Sequence, residues 1–203
     1  MPPPPFSCFS ISMKSPEFET IPVKGPQETS ANCFICGVNN PAGVKARFYE
    51  LENGEAAAVF SVPETHNGYP GRVHGGVTGA ILDELVGRSI TSLEPGTWGV
   101  TVELNVRYRK PIPTETPLSA RGRVSLNEKR RFRGTGELYL PDGTVAATCE
   151  GTYVKLPLER IASETGGDPH SLAEEGWMKR NSSDDPEALR FPRIQQVPPA
   201  DRI

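Results

Sequence analysis

One segment of this 203-residue chain repeats its apolar side chains with the period of a helix, and several others alternate like strands. Residues 75–93 place apolar side chains at roughly helical spacing, and a Pro-Gly pair follows as a stop signal. Apolar and polar side chains instead alternate in residues 98–109, 118–126, 131–140 and 145–154. One long helix among several strands restricts the chain to a small set of layered folds.

Short turns connect the predicted strands. Residues 44–51 and 56–62 have the pattern of two further strands, and Asn53 and Gly54 between them are a strong hairpin signal. Residues 141–143 (Pro-Asp-Gly) form a similar tight turn later in the chain. Because parallel strands need long crossovers, these turns favour an antiparallel sheet. The sequence therefore predicts an α+β fold in which one long central helix packs on an antiparallel β-sheet.

The two ends of the chain differ from its middle. Residues 1–31 are rich in Pro, Ser and Thr and show no period, which is typical of a mobile arm. Residues 159–203 are similar and are predicted to form a partly ordered or disordered tail, with Trp177 and Phe191 as candidate anchors on the domain. Residues 32–158 are therefore predicted to form the folded domain.

Charge and hydropathy argue against several classes of protein. A formal net charge of −3 is unlike a nucleic-acid binding domain, which is usually basic, so we expect no nucleic-acid partner. There is no run of ~18 apolar residues, so we expect no membrane span. The first residues are a poor match to a secretory signal. The spacing of Cys8, Cys33, Cys36 and Cys149 is not that of a disulfide framework. A cytoplasmic location is the expectation that follows.

The predicted helix carries a stripe of very small residues around one acid. Gly76, Gly79, Ala80, Asp83 and Gly87 fall on neighbouring positions of one helical face. A glycine inside a helix costs about 1 kcal/mol relative to alanine, so three on one stripe need a reason. Either the helix packs closely on the sheet with Asp83 at the rim, or the stripe leaves space for a ligand beside a carboxylate.

The start of the helix adds a second candidate element. His74, Gly75 and Gly76 place backbone N–H groups where they lack internal partners and carry partial positive charge. Glycine lets a ligand atom approach this backbone closely. A helix-head donor, with Asp83 about two turns further along, provides the minimum groups for attack on an acyl carbonyl.

Three stretches of the chain carry a family resemblance when they are taken in order. They are residues 33–43 (CFICGVNNPAG), residues 69–76 (YPGRVHGG) with Asp83 nine positions after His74, and residues 101–112 (TVELNVRYRKPI). Together they resemble the PaaI-like branch of the hotdog-fold acyl-CoA thioesterases, over roughly residues 32–156. The resemblance implies the hotdog fold and hydrolysis of an acyl-CoA thioester to coenzyme A and a carboxylic acid, with no cofactor and no metal.

The resemblance also implies roles for individual residues. The Gly75 N–H would polarise the thioester carbonyl, Asp83 would act as nucleophile or as base for water, and Thr101 would help to position the water or the acid. Four residues would bind or border the substrate: His66, Asn67, His74 and Gly76. The pocket would lie between two subunits of a homodimer or a dimer of dimers, so that Asp83 and Gly75 of one site come from different chains.

Arginines on the polar strand faces have two interpretations. They could belong to a solvated or interface-forming sheet face that is crossed by opposite-charge pairs. They could also meet the phosphates of coenzyme A, because the guanidinium fork matches phosphate oxygens. The candidates for this second role are Arg109, Arg130 and Arg131.

Other functions stay open at this point. Cys33 and Cys36 could be half of a zinc site or a redox pair, but no second ligand pair has suitable spacing, so a turn with buried thiols is favoured. The protein could be a non-catalytic acyl-CoA or small-ligand binding protein. It could also dehydrate hydroxyacyl thioesters, but such enzymes pair a loop His with a helix Glu, and Ala80 occupies the position of that Glu.

Overall fold

The structure of the protein, a computed structural model, describes residues 17–157, 160–161, 178–179 and 182–193. Within them, one long helix packs on one face of a large antiparallel sheet. This is the α+β hotdog architecture, so the predicted fold class is confirmed. No helix in these ranges has the length and apolar character needed to cross a bilayer.

The strands and helices have the following bounds. The strands are β1 (Phe18–Pro26), β2 (Glu28–Thr29), β3 (Arg47–Leu51), β4 (Ala56–Phe60), β5 (Asn67–Tyr69), β6 (Arg72–Val73), β7 (Thr97–Tyr108), β8 (Leu118–Asn127), β9 (Arg131–Tyr139), β10 (Val145–Pro157), β11 (Met178–Lys179) and β12 (Ala188–Pro192). The long helix α1 spans Gly75–Arg88, and short 3-10 helices span Glu64–His66 and Ser89–Ser92.

Across the described residues, the main sheet has the strand order β12-β1-β3-β4-β8-β9-β10-β7. Every neighbouring pair in it is antiparallel, as the short turns predicted. The strands β2 and β11 form a small separate pair, and so do β5 and β6. The strand β7 therefore lies at one edge of the main sheet, and its outer side has no partner within the described chain.

The helix α1 ends earlier than its periodicity predicts. It stops at Arg88, and the chain continues as a 3-10 helix to Ser92. At this point the Ser89 hydroxyl donates to the Val86 carbonyl at 2.7 Å, which fits the tighter last turn.

Glycines in two neighbouring strands let α1 lie close to the sheet. A β-carbon on Gly134 of β9 would lie 2.6 Å from Val86 Cγ1 of the helix. A β-carbon on Gly122 of β8 would lie 2.9 Å from Leu85 Cγ. The helix therefore packs directly against the backbone of β8 and β9 at these two glycines. Its apolar side chains fill the core between the two layers.

The strand β1 lies within residues 1–31, which the sequence predicted to be a mobile arm, and for residues 18–26 that prediction is wrong. These residues pair with β3 and β12. Arg121 of β8, only 1% exposed, also holds β1 through an ion pair with Glu19 at 2.7 Å. Pro22 and Gly25 interrupt the alternation that would otherwise mark a strand. Residues 1–16 lie outside the described residues.

The strands β1 and β12 bring apolar side chains to the face of the sheet that α1 does not cover. Ile21 and Phe191 pack with Tyr49 and Tyr139, and the Phe191 and Tyr139 ring centroids lie 5.8 Å apart. The predicted anchoring role of Phe191 is therefore confirmed, since its side chain is fully buried. The other candidate anchor, Trp177, lies outside the described residues.

Candidate active site

The head of α1 presents one backbone donor that is not used. His74 caps the helix, because its Nδ1 accepts from the Gly76 N–H at 3.0 Å and its carbonyl accepts from Val77 and Thr78 at 3.0 and 3.1 Å. The Gly75 N–H has no acceptor among the residues that the structure describes, and Gly75 is exposed. Since a helix N-terminus carries partial positive charge, this N–H can receive an anionic oxygen.

The loop before α1 holds the helix head in place. The His74 N–H donates to the His66 carbonyl at 3.0 Å, and His66 Nε2 donates to the Ala42 carbonyl at 2.6 Å. Asn67 Nδ2 donates to Glu64 Oε1 at 2.9 Å. The predicted pocket residues His66 and Asn67 thus lie close to the helix head. In this structure, however, their side chains are engaged within the loop.

The carboxylate of Asp83 accepts hydrogen bonds from two hydroxyl groups. Thr101 of β7 donates from Oγ1 to Asp83 Oδ1 at 2.9 Å, and Tyr153 of β10 donates from its hydroxyl to the same oxygen at 3.1 Å. Asp83 Oδ2 has no hydrogen-bond partner in the described part of the chain, and the side chain is half-buried. One carboxylate oxygen is therefore held in place while the other is available for chemistry.

Tyr153 is a site residue that the sequence alone does not reveal. Its ring is fully buried and stacks on Phe132, with centroids 5.0 Å apart and planes 12° apart. Burial and the neighbouring Asp83 carboxylate raise the pKa of the Tyr153 hydroxyl, so it stays protonated and remains a donor. In sequence, Tyr153 alternates with apolar core residues. Only the β7–β10 register, which pairs it with Thr101, indicates its place beside the acid.

The small-residue stripe of α1 faces the edge strand β7. The Tyr108 hydroxyl donates to the Gly75 carbonyl at 2.7 Å, and a β-carbon on Gly79 would lie 3.6 Å from the same hydroxyl. A β-carbon on Gly87 would lie 3.5 Å from the Tyr153 ring. These distances are ordinary contacts, so close packing within one chain does not by itself explain Gly79 and Gly87. At Gly76 a β-carbon would lie only 3.0 Å from His74 Nδ1, so the helix cap favours glycine there.

The two candidate catalytic groups are too far apart to act on one carbonyl within a single chain. Gly75 and Asp83 are eight positions apart on one helix, which at ~1.5 Å per residue separates them by about 12 Å. A carbonyl bond is only ~1.23 Å long. If both groups act on the same thioester, they must therefore come from two copies of the chain.

The three arginines predicted to meet coenzyme A phosphates do not lie together in one chain. Arg109 follows β7 and lines a cavity of about 300 Å³ near Gly75. Arg131 lies opposite Val154, which pairs with Val100 at the other end of β7. That separation is roughly 30 Å for an extended strand. Arg130 precedes Arg131 directly, so these two stay together and Arg109 is separate.

Several arginines on the sheet, Arg131 among them, form ion pairs with nearby glutamates. Arg123 of β8 contacts Glu137 of β9 at 2.6 Å, and Arg121 contacts Glu55 at 3.3 Å. Arg131 pairs with Glu128 in the turn between β8 and β9. The interpretation of a sheet face crossed by opposite-charge pairs therefore describes these residues.

Residues 70–147 match the family model of the thioesterase superfamily. This range contains the head of α1, Asp83 and Thr101. Human acyl-coenzyme A thioesterase 13 is 30% identical over 80 residues, which cover 34% of this chain and 57% of the human protein. The chain thus spans little more than half the length of that relative.

Solved structures have a similar fold. Protein RHA08564, described as a thioesterase superfamily protein, has a TM-score of 0.56 and 28% sequence identity, over 61% of this chain and 60% of that one. The E. coli PaaI protein from the phenylacetic acid degradation operon has a TM-score of 0.50 and 18% identity, over 56% and 80% of the two chains. At that identity, the PaaI comparison shows a shared fold.

Proposed function

We propose that this protein, whose residues 70–147 match the family model of the thioesterase superfamily, hydrolyses acyl-CoA thioesters to coenzyme A and a carboxylic acid. The observation that carries the proposal is the Asp83 carboxylate, which two hydroxyl groups hold at Oδ1 while Oδ2 stays available. The unpaired N–H of Gly75 supplies the second group that acyl transfer needs.

The edge strand β7 supports a site built from two subunits. Its outer side has no partner in the described chain, and three of its apolar side chains are exposed: Val100 at 39%, Val102 at 64% and Tyr108 at 55%. A long unpaired edge with exposed apolar side chains is suited to pairing with a second copy of itself.

The register of such a pair follows from two contacts within one chain. Thr101 contacts Asp83, and Tyr108 contacts Gly75. These two residues of β7 therefore show where along the strand each of the two proposed catalytic groups lies. Antiparallel pairing of two β7 strands about a two-fold axis between residues 104 and 105 would place Thr101 opposite Tyr108 of the partner subunit. Asp83 of one chain would then face Gly75 of the partner subunit across the interface.

In this arrangement the Gly75 N–H donates to the thioester carbonyl oxygen and stabilises the negative charge that develops during attack. In one route Asp83 Oδ2 accepts a proton from the attacking water, and the C–S bond breaks as the tetrahedral intermediate collapses to the acid. In the other route Asp83 Oδ2 attacks the carbonyl carbon itself, the C–S bond breaks as a mixed anhydride forms, and water then hydrolyses the anhydride. The coenzyme A sulfur leaves as a thiolate that takes up a proton, and the acyl group leaves as a carboxylate.

The first test is the variant Asp83→Asn, measured by thiol release from short-chain, long-chain and aromatic acyl-CoA substrates. Asparagine has nearly the same shape, and its amide oxygen can still accept from Thr101 and Tyr153, so the fold should persist. We expect kcat/KM to fall roughly 10²–10³-fold, because the group that activates water is lost. Circular dichroism and elution volume, unchanged from the wild type, provide the control.

Three outcomes would contradict the proposal. Full activity in Asp83→Asn would exclude the mechanism. Tight binding of the same substrates by the wild type without thiol release would identify a binding protein. Hydration of an enoyl-CoA substrate in place of hydrolysis would identify a dehydratase, which is disfavoured because Ala80 occupies the helix position where such enzymes carry a Glu.

A second prediction concerns the two hydroxyl groups that hold Asp83. We expect Thr101→Val and Tyr153→Phe each to lower kcat about tenfold with little change in KM, because each removes one hydrogen bond to a charged acceptor. The matched control is Thr101→Ser, which keeps the hydroxyl and should retain most of the activity. An unchanged kcat in both Thr101→Val and Tyr153→Phe would show that these contacts do not position the acid.

A further inference from the structure

Two cysteines, an acid and a buried arginine form a cluster that the proposed hydrolysis does not use. The sulfur atoms of Cys33 and Cys36 and a carboxylate oxygen of Glu84 all lie within 4.8 Å of one another. Arg88, only 2% exposed, donates from Nε to Glu84 Oε1 at 2.8 Å, and its Nη2 lies 3.1 Å from Cys36 Sγ. We call these four residues the dithiol cluster. It joins the loop before β3 to the last turns of α1.

A tight turn keeps the two cysteines close together. The Gly37 N–H donates to the Cys33 carbonyl at 2.9 Å, which closes the turn around both thiols. A β-carbon on Gly37 would lie 2.4 Å from that carbonyl oxygen, so the backbone folds back more closely than another residue would allow. Both cysteines are free thiols in this structure.

The two thiols have different surroundings. Cys33 is half-buried, and its sulfur accepts the N–H groups of Ile35 and Cys36 at 3.3 and 3.5 Å. Cys36 is buried, and its single thiol proton can be donated either to Glu84 Oε1, 3.8 Å away, or to the Cys33 sulfur. A hydrogen bond from the Cys36 thiol lowers the pKa of Cys33 to about 6, against the opposing effects of burial and Glu84, while the pKa of Cys36 is raised. Cys33 is therefore the more acidic of the two thiols.

The positive charge of Arg88 makes the dithiol cluster a poor cation site. Two sulfur atoms and one carboxylate are donors of the kind that zinc accepts, but a structural zinc site needs four. Arg88 Nη2 occupies the position beside Cys36 Sγ, where a cation would meet a buried guanidinium at close range. A half-buried, more acidic thiol next to a buried, less acidic one is instead suited to reversible dithiol–disulfide chemistry.

We propose that Cys33 and Cys36 form a reversible intramolecular disulfide, with a hydroperoxide such as hydrogen peroxide as the oxidant. The Cys33 thiolate attacks one peroxide oxygen, the O–O bond breaks, and the hydroxide that leaves becomes water on taking up a proton. The Cys36 sulfur then attacks the Cys33 sulfur of the resulting sulfenic acid. The S–S bond forms as the S–O bond breaks, and the Cys36 proton leaves with the second water. Two thiols and one peroxide thus give one disulfide and two waters.

Oxidation would change how the loop contacts α1. The two sulfur atoms would move to about 2.05 Å from each other. Cys36 would lose the proton that it can donate to Glu84, and Cys33 would no longer be able to carry a negative charge. The dithiol cluster therefore couples the oxidation state of the loop to the helix that carries Asp83.

The experiment uses the full chain with Cys8→Ser and Cys149→Ser, so that only Cys33 and Cys36 can react. Both fall in one tryptic peptide, residues 25–45. After reduction and then treatment with hydrogen peroxide, we expect this peptide to lose the mass of two hydrogens and to regain it with dithiothreitol. Iodoacetamide should label Cys33 faster than Cys36 at pH 7, because Cys33 is the more acidic thiol and is half-buried whereas Cys36 is buried.

Two variants in the same background separate the roles of the cysteines. In Cys36→Ser, the sulfenic acid of Cys33 should accumulate and be trapped by dimedone, while Cys33→Ser should not react. Oxidation of Cys33 to a sulfinic acid without any disulfide would overturn the proposal. So would a stoichiometric metal ion in the purified protein that is released only when both thiols are alkylated. Because every readout is a mass or a metal content, failure here is independent of the proposed hydrolysis.

Discussion

A purified heterodimer of the Gly75→Pro and Asp83→Asn variants is expected to show about half of the wild-type activity, although each variant alone is nearly inactive. If each site takes its N–H from one chain and its carboxylate from the other, the heterodimer contains one site with both defects and one intact site. Two differently tagged variants, co-expressed and isolated through both tags, give this species. Thiol release from an acyl-CoA substrate measures it.

The Gly75→Pro variant removes the N–H with little expected damage to the fold. Gly75 is the first residue of α1, the position at which proline is well tolerated because its missing N–H is not needed by the helix. His74 before it has φ −62° and ψ 137°, which is the extended conformation that a following proline requires. A β-carbon at position 75 would meet the Tyr108 ring at 3.5 Å, an ordinary contact. Alone, the variant should lose roughly 10²–10³-fold in kcat.

The matched control is Gly75→Ala, which adds the same β-carbon but keeps the N–H and should stay active. An inactive heterodimer would contradict a site shared between two chains. Full activity of Gly75→Pro alone would show that a different donor binds the carbonyl oxygen. The two results are distinct, so the experiment separates the composition of the site from the identity of its donor.

The largest expected loss of stability follows from replacing Arg88 with alanine, which should lower the free energy of unfolding by about 3–5 kcal/mol. Arg88 is only 2% exposed, contacts Glu84 through Nε and Nη2, and lies over the Phe48 ring at 4.7 Å. It also donates to the Glu28 carbonyl. Truncation would leave a cavity, an unsatisfied carbonyl and a half-buried carboxylate without its partner.

A double variant distinguishes the charge from the packing. Glu84→Gln with Arg88→Met removes both charges and keeps much of the volume, so we expect a smaller loss than in Arg88→Ala. Lys24→Ala, which breaks the exposed Lys24–Glu50 pair, should leave the stability nearly unchanged. Urea unfolding at one fixed protein concentration measures all three, since association would shift the apparent stability. An Arg88→Ala protein as stable as the wild type would contradict the prediction.

Much of the fold can be predicted from local pattern. The strands β7, β8, β9 and β10 lie within three residues of the predicted bounds, because strict alternation and strong turn signals mark them. The strand β1 carries no such pattern, and its pairing with β12 joins segments more than a hundred residues apart. Contacts of that kind depend on the whole fold, so local periodicity does not reveal them.

The candidate site divides in the same way. Asp83 and Thr101 could be predicted because they belong to sequence stretches with a family resemblance, and the structure brings their side chains together. The place of Tyr153 could not be predicted in this way. Its hydroxyl lies beside Asp83 because β10 pairs with β7 in a register that the sequence does not reveal. From the sequence, a basic residue in the last turn of a helix, such as Arg88, is expected to be exposed to solvent. In the structure it is buried by the Cys33–Cys36 loop, the segment at Glu28 and the Phe48 ring.

The two edges of the main sheet are unequal, and this limits how far copies of the protein can add to one another. One edge is β7, with twelve residues, and the other is β12, with five residues that end in Pro192, which has no N–H to donate. Pairing of β7 with itself uses the long edge of both copies at once. The outward growth of a fibre would have to continue through the short edge, which offers few donors. The proposed association through β7 would therefore be self-limiting and would stop at a closed pair.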